Sequence, residues 1–171
     1  MKYISLVLLA LCIIQMKSDK ASQVIAFAKS KLGCGYVWSG EGQVLTPQNM
    51  KVFHNQYPTH VDTSVVSKWL GKQVYDCSGL VMKALQNVGI NIFHNCEIAW
   101  KSAIWASKGE ISKYPKNKVC ILYRYGNGRM EHTGIYLGNG RFIHAKGSAY
   151  GVLEESMPGS WTHWGIPKGL Y

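Results

Sequence analysis

Tyr75-Asp76-Cys77-Ser78-Gly79-Leu80 is the stretch around which the rest of the chain is organised. It reads as a strand-like approach, a small polar corner and the start of an apolar helix. Asp76 is a good N-cap, because its carboxylate can accept a hydrogen bond from an amide of the first turn that has no partner inside the helix. Leu80, Val81, Ala84, Leu85 and Val88 then recur at helical spacing, and Gly89 supplies the stop. Cys77 therefore lies in the first turn of a helix with one buried face. The partial positive charge of that turn favours an anion and lowers a thiol below its free value of about 8.5. A thiolate is a nucleophile, so covalent catalysis is one reading of the stretch. A buried structural cysteine, or half of a disulfide, fits the same six residues equally well.

A chain of 171 residues with 47% hydrophobic content is long and apolar enough for one domain with a core of its own. Its beginning reads as a targeting segment. Lys2 precedes an apolar run from Ile4 to Ile14, too short to cross a bilayer of about 30 Å but suited to a signal-peptide core. Residues 1–18 are expected to be removed on export and 19–171 to form the domain, secreted or lumenal, with no stable membrane insertion afterwards. Removal takes Lys2 and Lys17 and no acidic residue, so the net charge falls from +10 to +8. The remaining basic residues are dispersed and not interleaved with aromatic ones, which argues against a nucleic-acid groove. A diffuse positive field steers a protein towards polyanionic surfaces, bacterial envelopes among them, but serves plain solubility equally well. Loss of Cys12 leaves Cys34, Cys77, Cys96 and Cys120. If Cys77 is free, at least one other cysteine is also free, barring a bridge between chains. No C-x-x-C spacing occurs, so no structural zinc site is expected, and no cofactor is called for.

In chain order, a helix is expected from about Asp19 to Leu32, with Ala21, Val24, Ile25, Ala28 and Leu32 inward and Gly33 as its end. The glycine-flanked aromatic turn from Gly33 to Gly40 follows. Residues 41–75 lack long periodicity. A short helix capped by Asp62 or Thr63 is expected there, and Pro47, Pro58, His54 and His60 mark the rest as loop, forming either a lid or a binding wall. Asn95 is expected to cap a helix running to about Ser107. From Lys118 the period changes to two, and five strands follow: 118–125, 131–137, 141–146, 149–155 and 161–168. Helices first and strands second imply an α+β domain with helices packed on an antiparallel sheet of about five strands.

The hairpin at Gly138-Asn139-Gly140 brings in a second group of chemistry. A three-residue loop pairs Leu137 with Arg141 and sets Gly134 opposite His144. His132 and His144 then share one sheet face as diagonal neighbours, about 7–8 Å apart at the backbone. A two-residue loop would put them on opposite faces.

These stretches carry a family resemblance. Tyr36-Val37-Trp38-Ser39-Gly40, Asp76-Cys77-Ser78-Gly79-Leu80, His132 through Gly140 and Ile143-His144-Ala145, in that order, resemble the NlpC-type papain-like cysteine peptidases over about residues 20–168. The resemblance implies a papain-like domain that cleaves bacterial peptidoglycan stem peptides or muropeptides, commonly between D-glutamate and the diamino acid; a monomer is expected. It implies Cys77 as nucleophile, His132 as general base and His144 as the group that orients it. Tyr36 would line the site, and Asp76 with Ser78 would hold the free amine of the stem peptide. Two features depart from the family pattern: the long link at 41–75, and Asn117-Lys118 where Gly-Asp tends to stand. Two other functions compete with this one. One is a cell-wall amidase of the related amidase-peptidase group; the other is a non-catalytic wall-binding module.

Overall fold

The computed structural model describes residues 19–171, so the expected signal segment and Cys12 lie outside the described residues. Asp19 caps helix α1 (Lys20–Ser30) by accepting from the Ser22 amide at 2.8 Å. Ala21, Val24 and Ala28 face inward. The helix stops two residues earlier than the pattern predicts, which leaves Leu32 in the exposed turn. The decisive helix, α4 (Cys77–Gln86), follows the reading closely. Leu80, Val81, Ala84 and Leu85 are buried, Gly89 takes a left-handed conformation, and the Ile90 amide closes back on the Leu85 carbonyl.

Six antiparallel strands form the main sheet, one more than expected. They are β4 (Trp105–Glu110), β5 (Cys120–Gly126), β6 (Arg129–Tyr136), β7 (Arg141–Gly147), β8 (Gly151–Ser156) and β9 (His163–Pro167), in the spatial order β4-β9-β5-β6-β7-β8. The additional strand is β4. The segment behind Asn95 was expected to stay helical to about Ser107, but helix α5 covers only Cys96–Lys101. Pairing of β4 with β9 satisfies the backbone from Trp105 to Glu110, so a long-range ladder overrides local periodicity there, and Gly109 is a strand residue. The α+β architecture is otherwise as read. Helices α1, α4 and α5 enclose the main core against Ile121, Tyr123, Ile135, Ile143 and Ala145 on one sheet face. Cys120, Leu122, Tyr136, Phe142 and Trp161 form a smaller core on the other.

The long link is a folded unit, not a loop. It contains β2 (Glu41–Val44), α2 (Pro47–Gln56), α3 (Thr63–Val66) and β3 (Gln73–Tyr75). β3 lies between β2 and the short β1 (Gly35–Tyr36) in a second sheet. Pro47 misled the reading because it opens a helix, at the position where its missing N–H costs nothing. Thr46 and Asn49 close a reciprocal capping box there. Val37, Leu45, Phe53, Val61, Val66 and Val74 form a satellite core. The Trp69 indole donates to the Ser148 carbonyl at 2.8 Å and fastens the unit to the turn between β7 and β8. Phe53→Ala is expected to cost about 3 kcal/mol, read as a shift of the urea midpoint. A loss below about 1 kcal/mol would show that the unit lies outside the cooperative fold.

Candidate active site

Asp76 determines where Cys77 sits. Its Oδ1 accepts from the Gly79 amide at 2.6 Å, from Ser78 Oγ at 3.0 Å and from His94 Nε2 at 2.9 Å, while Oδ2 accepts from the Ser39 amide at 2.9 Å. Ser39 holds a left-handed backbone (φ 66°), and that turn packs directly on α4. A Cβ on Gly79 would lie 2.1 Å from the Gly40 carbonyl oxygen, so only glycine lets the turn and the helix start approach this closely. Cys77 therefore opens α4 in a fixed place. Its own amide and that of Ser78 have no acceptor within the helix.

The thiol of Cys77 is buried, with Cys96 Sγ 3.8 Å from its sulfur. Contact with Cys96, and then the hydrogen bond and charge of His132, hold the Cys77 thiol down at about 5, against burial and the charge of Asp76. Cys96 is driven the other way, well above the usual thiol range, first by the Cys77 sulfur and then by burial. Of the pair, Cys77 is the one ionised, because only it has the histidine beside it.

The histidines are placed by the hairpin register. Ile135 pairs with Ile143 and Tyr136 with Phe142, and the Leu137 amide donates to the Arg141 carbonyl at 2.9 Å, so the loop has the three residues the reading required. His132 and His144 share a face, with His132 Nε2 2.9 Å from His144 Nδ1. A bulge in β6 contributes to the aim. Arg124 pairs with His132 but Tyr125 pairs with Met130, which leaves Glu131 as an extra residue. The space over Gly134 is filled by Trp161, whose indole stacks on His132 at 5.5 Å between ring centres and 9° between planes.

The hydrogen bonds continue past the expected residues. His144 Nε2 is 2.8 Å from Glu155 Oε2, and Lys146 Nζ donates to Glu155 Oε1 at 2.8 Å. Burial and the neighbouring His132 lower His144 to about 4, so it is neutral at ordinary pH. Lys146, and then His144, keep Glu155 ionised below the usual carboxylate range. An ionised carboxylate only accepts, which assigns the tautomers through the network. His144 Nε2–H donates to Glu155, its Nδ1 accepts from His132 Nε2–H, and His132 Nδ1 is left outside this network.

Of the six residues singled out in the sequence, His132 and His144 are hydrogen-bonded to one another, and His132 acts electrostatically on Cys77. Asp76 and Ser78 lie in the wall of a cleft of about 480 Å³ that opens on the thiol. Tyr36 is buried against the same group, and burial, followed by the charges of Cys77, Asp76 and Cys96, keeps its hydroxyl protonated. Trp38, Tyr57, His94, Cys96 and Arg129 also line the cleft. Tyr57 brings the satellite unit into that wall. The two histidines of that unit do other work: His54 binds the Val61 carbonyl and His60 packs on Trp38. Cys96, Glu155 and Trp161 were missed. Cys96 had a readable signal, since Asn95 precedes it as an N-cap just as Asp76 precedes Cys77. Glu155 depends on the β7–β8 register, which a bulge between Ala145 and Gly147 sets. Among the described residues no group of three or more His, Cys, Asp or Glu could hold a metal ion.

A sequence profile of the NlpC/P60 family matches residues 33–164, and the chain belongs to that family. It is 29% identical over 138 residues to the probable endopeptidase p60 of Listeria monocytogenes, an alignment covering 80% of this chain and 21% of that protein. A probable endopeptidase of Mycobacterium tuberculosis is 33% identical over 84 residues, covering 49% of this chain and 20% of the other. The chain thus spans about a fifth of the length of these relatives. Among solved structures, the peptidoglycan hydrolase RipB of Mycobacterium tuberculosis is 25% identical with a TM-score of 0.59, covering 89% of this chain and 66% of that one. The NlpC/p60 domain of the peptidoglycan hydrolase SagA shares the fold at 21% identity and a TM-score of 0.57, covering 85% and 97%.

The thiol environment sets a measurable pH. The ultraviolet absorbance of the Cys77 thiolate should be full at neutral pH and vanish as pH falls through about 5, and the step should be missing in Cys77→Ser. A midpoint near the ordinary thiol value of about 8.5 would mean that Cys77 is neutral at rest.

Proposed function

We propose that this protein is an exported cysteine peptidase that hydrolyses peptidoglycan stem peptides, with Cys77 as nucleophile, His132 as general acid and base, and His144 as the orienting third member. The observation that carries the reading is a helix-start thiol held down at about 5, with His132 among the causes, together with the hydrogen bonds that run from His132 to His144 and Glu155. Family membership supports the substrate class, and the apolar run after Lys2 supports export.

The Cys77 thiolate attacks the scissile carbonyl, and the amides of Cys77 and Ser78 at the start of α4 stabilise the oxyanion. His132 holds at Nδ1 the proton given up by the Cys77 thiol and donates it to the leaving amine, and an acyl-enzyme remains. Water then attacks, with His132 taking its proton and the thiolate departing. His144 and Glu155 keep Nδ1 of His132 turned to the reaction throughout. We assign the D-glutamyl–diamino acid bond as the point of cleavage, in keeping with the resemblance. Asp76 is well placed for a substrate amine, because Oδ2 carries a single protein donor and so has a lone pair to spare.

Purified peptidoglycan digested by wild type and variants tests the reading, with circular dichroism monitoring the fold. Cys77→Ala should be inactive, and His132→Ala should lose about a hundredfold or more. His144→Ala and Glu155→Ala should lose about tenfold each, mostly in kcat, because they disturb orientation and spare the proton-transfer group. A folded Cys77→Ala with undiminished turnover would exclude covalent thiol catalysis. Product analysis identifies the bond; release of whole stem peptides from the sugar would make the enzyme an amidase instead.

Asp76→Asn separates capping from recognition. The amide oxygen still caps α4, so the fold should persist, while KM for stem peptides with a free amine rises about tenfold as the charge-assisted contact disappears. If KM is unchanged, Asp76 serves the helix alone.

A further inference from the structure

The proposed hydrolysis needs one thiol at its centre, yet the cleft contains two. Cys77 and Cys96 each open a helix, α4 behind Asp76 and α5 behind Asn95, and their sulfurs lie 3.8 Å apart. Both residues line the same cleft, where a small solute can reach them. The other two described cysteines sit elsewhere. Cys120 lies in the small core on the far face of the sheet, and Cys34 lies in the turn ahead of β1. All four are free thiols.

We propose that Cys77 and Cys96 form a peroxide-responsive modification site, in which a peroxide oxidises the nucleophile and Cys96 captures the product as an internal disulfide. In the first step the Cys77 thiolate attacks one peroxide oxygen. A sulfur–oxygen bond forms, the oxygen–oxygen bond breaks, and the departing hydroxide takes a proton from the His132 imidazolium and leaves as water. In the second step the Cys96 sulfur attacks the Cys77 sulfur. A sulfur–sulfur bond forms, the sulfur–oxygen bond breaks, and the hydroxide leaves as water with the Cys96 proton. Two thiols and one peroxide thus become one disulfide and two waters; the sulfurs are oxidised and the peroxide is reduced.

Geometry favours capture over further damage. The sulfurs are already in contact and have to close to about 2 Å, which side-chain rotation and a small shift of the six-residue α5 can supply. A cysteine oxidised only to the first stage is recoverable, whereas one carrying two or three oxygens is lost in the absence of a dedicated repair enzyme. Cys96 stands where it can intercept the first stage. The low-lying Cys77 thiol and its protonated neighbour put the pair in the order of attack just described.

The activity readout rests on the proposed function, but the cross-link does not, so the test uses both. The full chain is treated with hydrogen peroxide, digested without reduction and mapped by mass spectrometry, and wall hydrolysis is followed in parallel. The expected result is a linked Cys77–Cys96 peptide lighter by two hydrogens, with hydrolysis reduced about tenfold or more and restored by dithiothreitol. In Cys96→Ser and Cys96→Ala, Cys77 should instead acquire two or three oxygens, and reductant should recover nothing. Should these variants fail to fold, the wild-type map decides alone. Cys77 found unmodified, oxidised without a cross-link, or joined to Cys34, Cys120 or a second chain would overturn the proposal. A Cys77–Cys96 link in a protein that never hydrolyses peptidoglycan would leave the modification site standing and remove the proposed function.

Discussion

The buried carboxylate of Asp76 is the constraint on which the site depends. A charge out of water is costly unless donors surround it, and Asp76 recruits them from three pieces of chain: the turn at Ser39, the first turn of α4 and His94 ahead of α5. Each piece is thereby fixed relative to the others. Cys77 follows the carboxylate directly and Cys96 follows His94 by two residues, so both sulfurs inherit their positions from one ionic hub. The strained turn at Ser39 has the same origin, because its left-handed backbone is what directs an amide at the carboxylate.

The second half of the site is assembled by the sheet and has a different electrostatic character. Its hydrogen bonds run from the buried His132 through a neutral His144 to Glu155, and end at Lys146 on the surface. Glu155 and Lys146 thus keep their charges at the solvent end, where they are inexpensive, while the neutral His144 between them and His132 passes on direction and no charge. Trp161 closes the exposed side of the imidazole pair and limits the positions either ring can take.

Much of this was legible before any coordinates, for identifiable reasons. Asp76, the apolar period from Leu80 to Val88 and the stop at Gly89 are local signals, and they defined α4. The glycines of the 138–140 loop fixed a register, and register alone put His132 and His144 on one face. What stayed hidden depends on pairing between distant segments. β4 exists because β9 lies beside it, against a local helical pattern. Glu155 reaches His144 through a bulge that no spacing rule announces. The unit from Glu41 to Tyr75 was read as loop because its helices are short and one begins with Pro47, a residue that looks like a breaker until its place in the first turn is known. The likeness between Asn95-Cys96 and Asp76-Cys77, a capping residue followed by a cysteine, is a local signal for the second helix-start thiol.

The contact between Gly79 and the Gly40 carbonyl limits which positions of the cleft can vary. At 2.1 Å from an added Cβ there is no small step to a larger side chain, and Gly40 is hemmed in equally, since its own Cβ would lie 2.8 Å from the Val37 carbonyl. Neither residue can be enlarged without displacing the start of α4 and Cys77 with it. Trp38, Ser39 and Tyr57 adjoin this crossing and project into the cleft, where a change of side chain reshapes the cavity and leaves the crossing intact. Side chains along the rim can therefore change one at a time, while two glycines keep the Cys77 sulfur where it is.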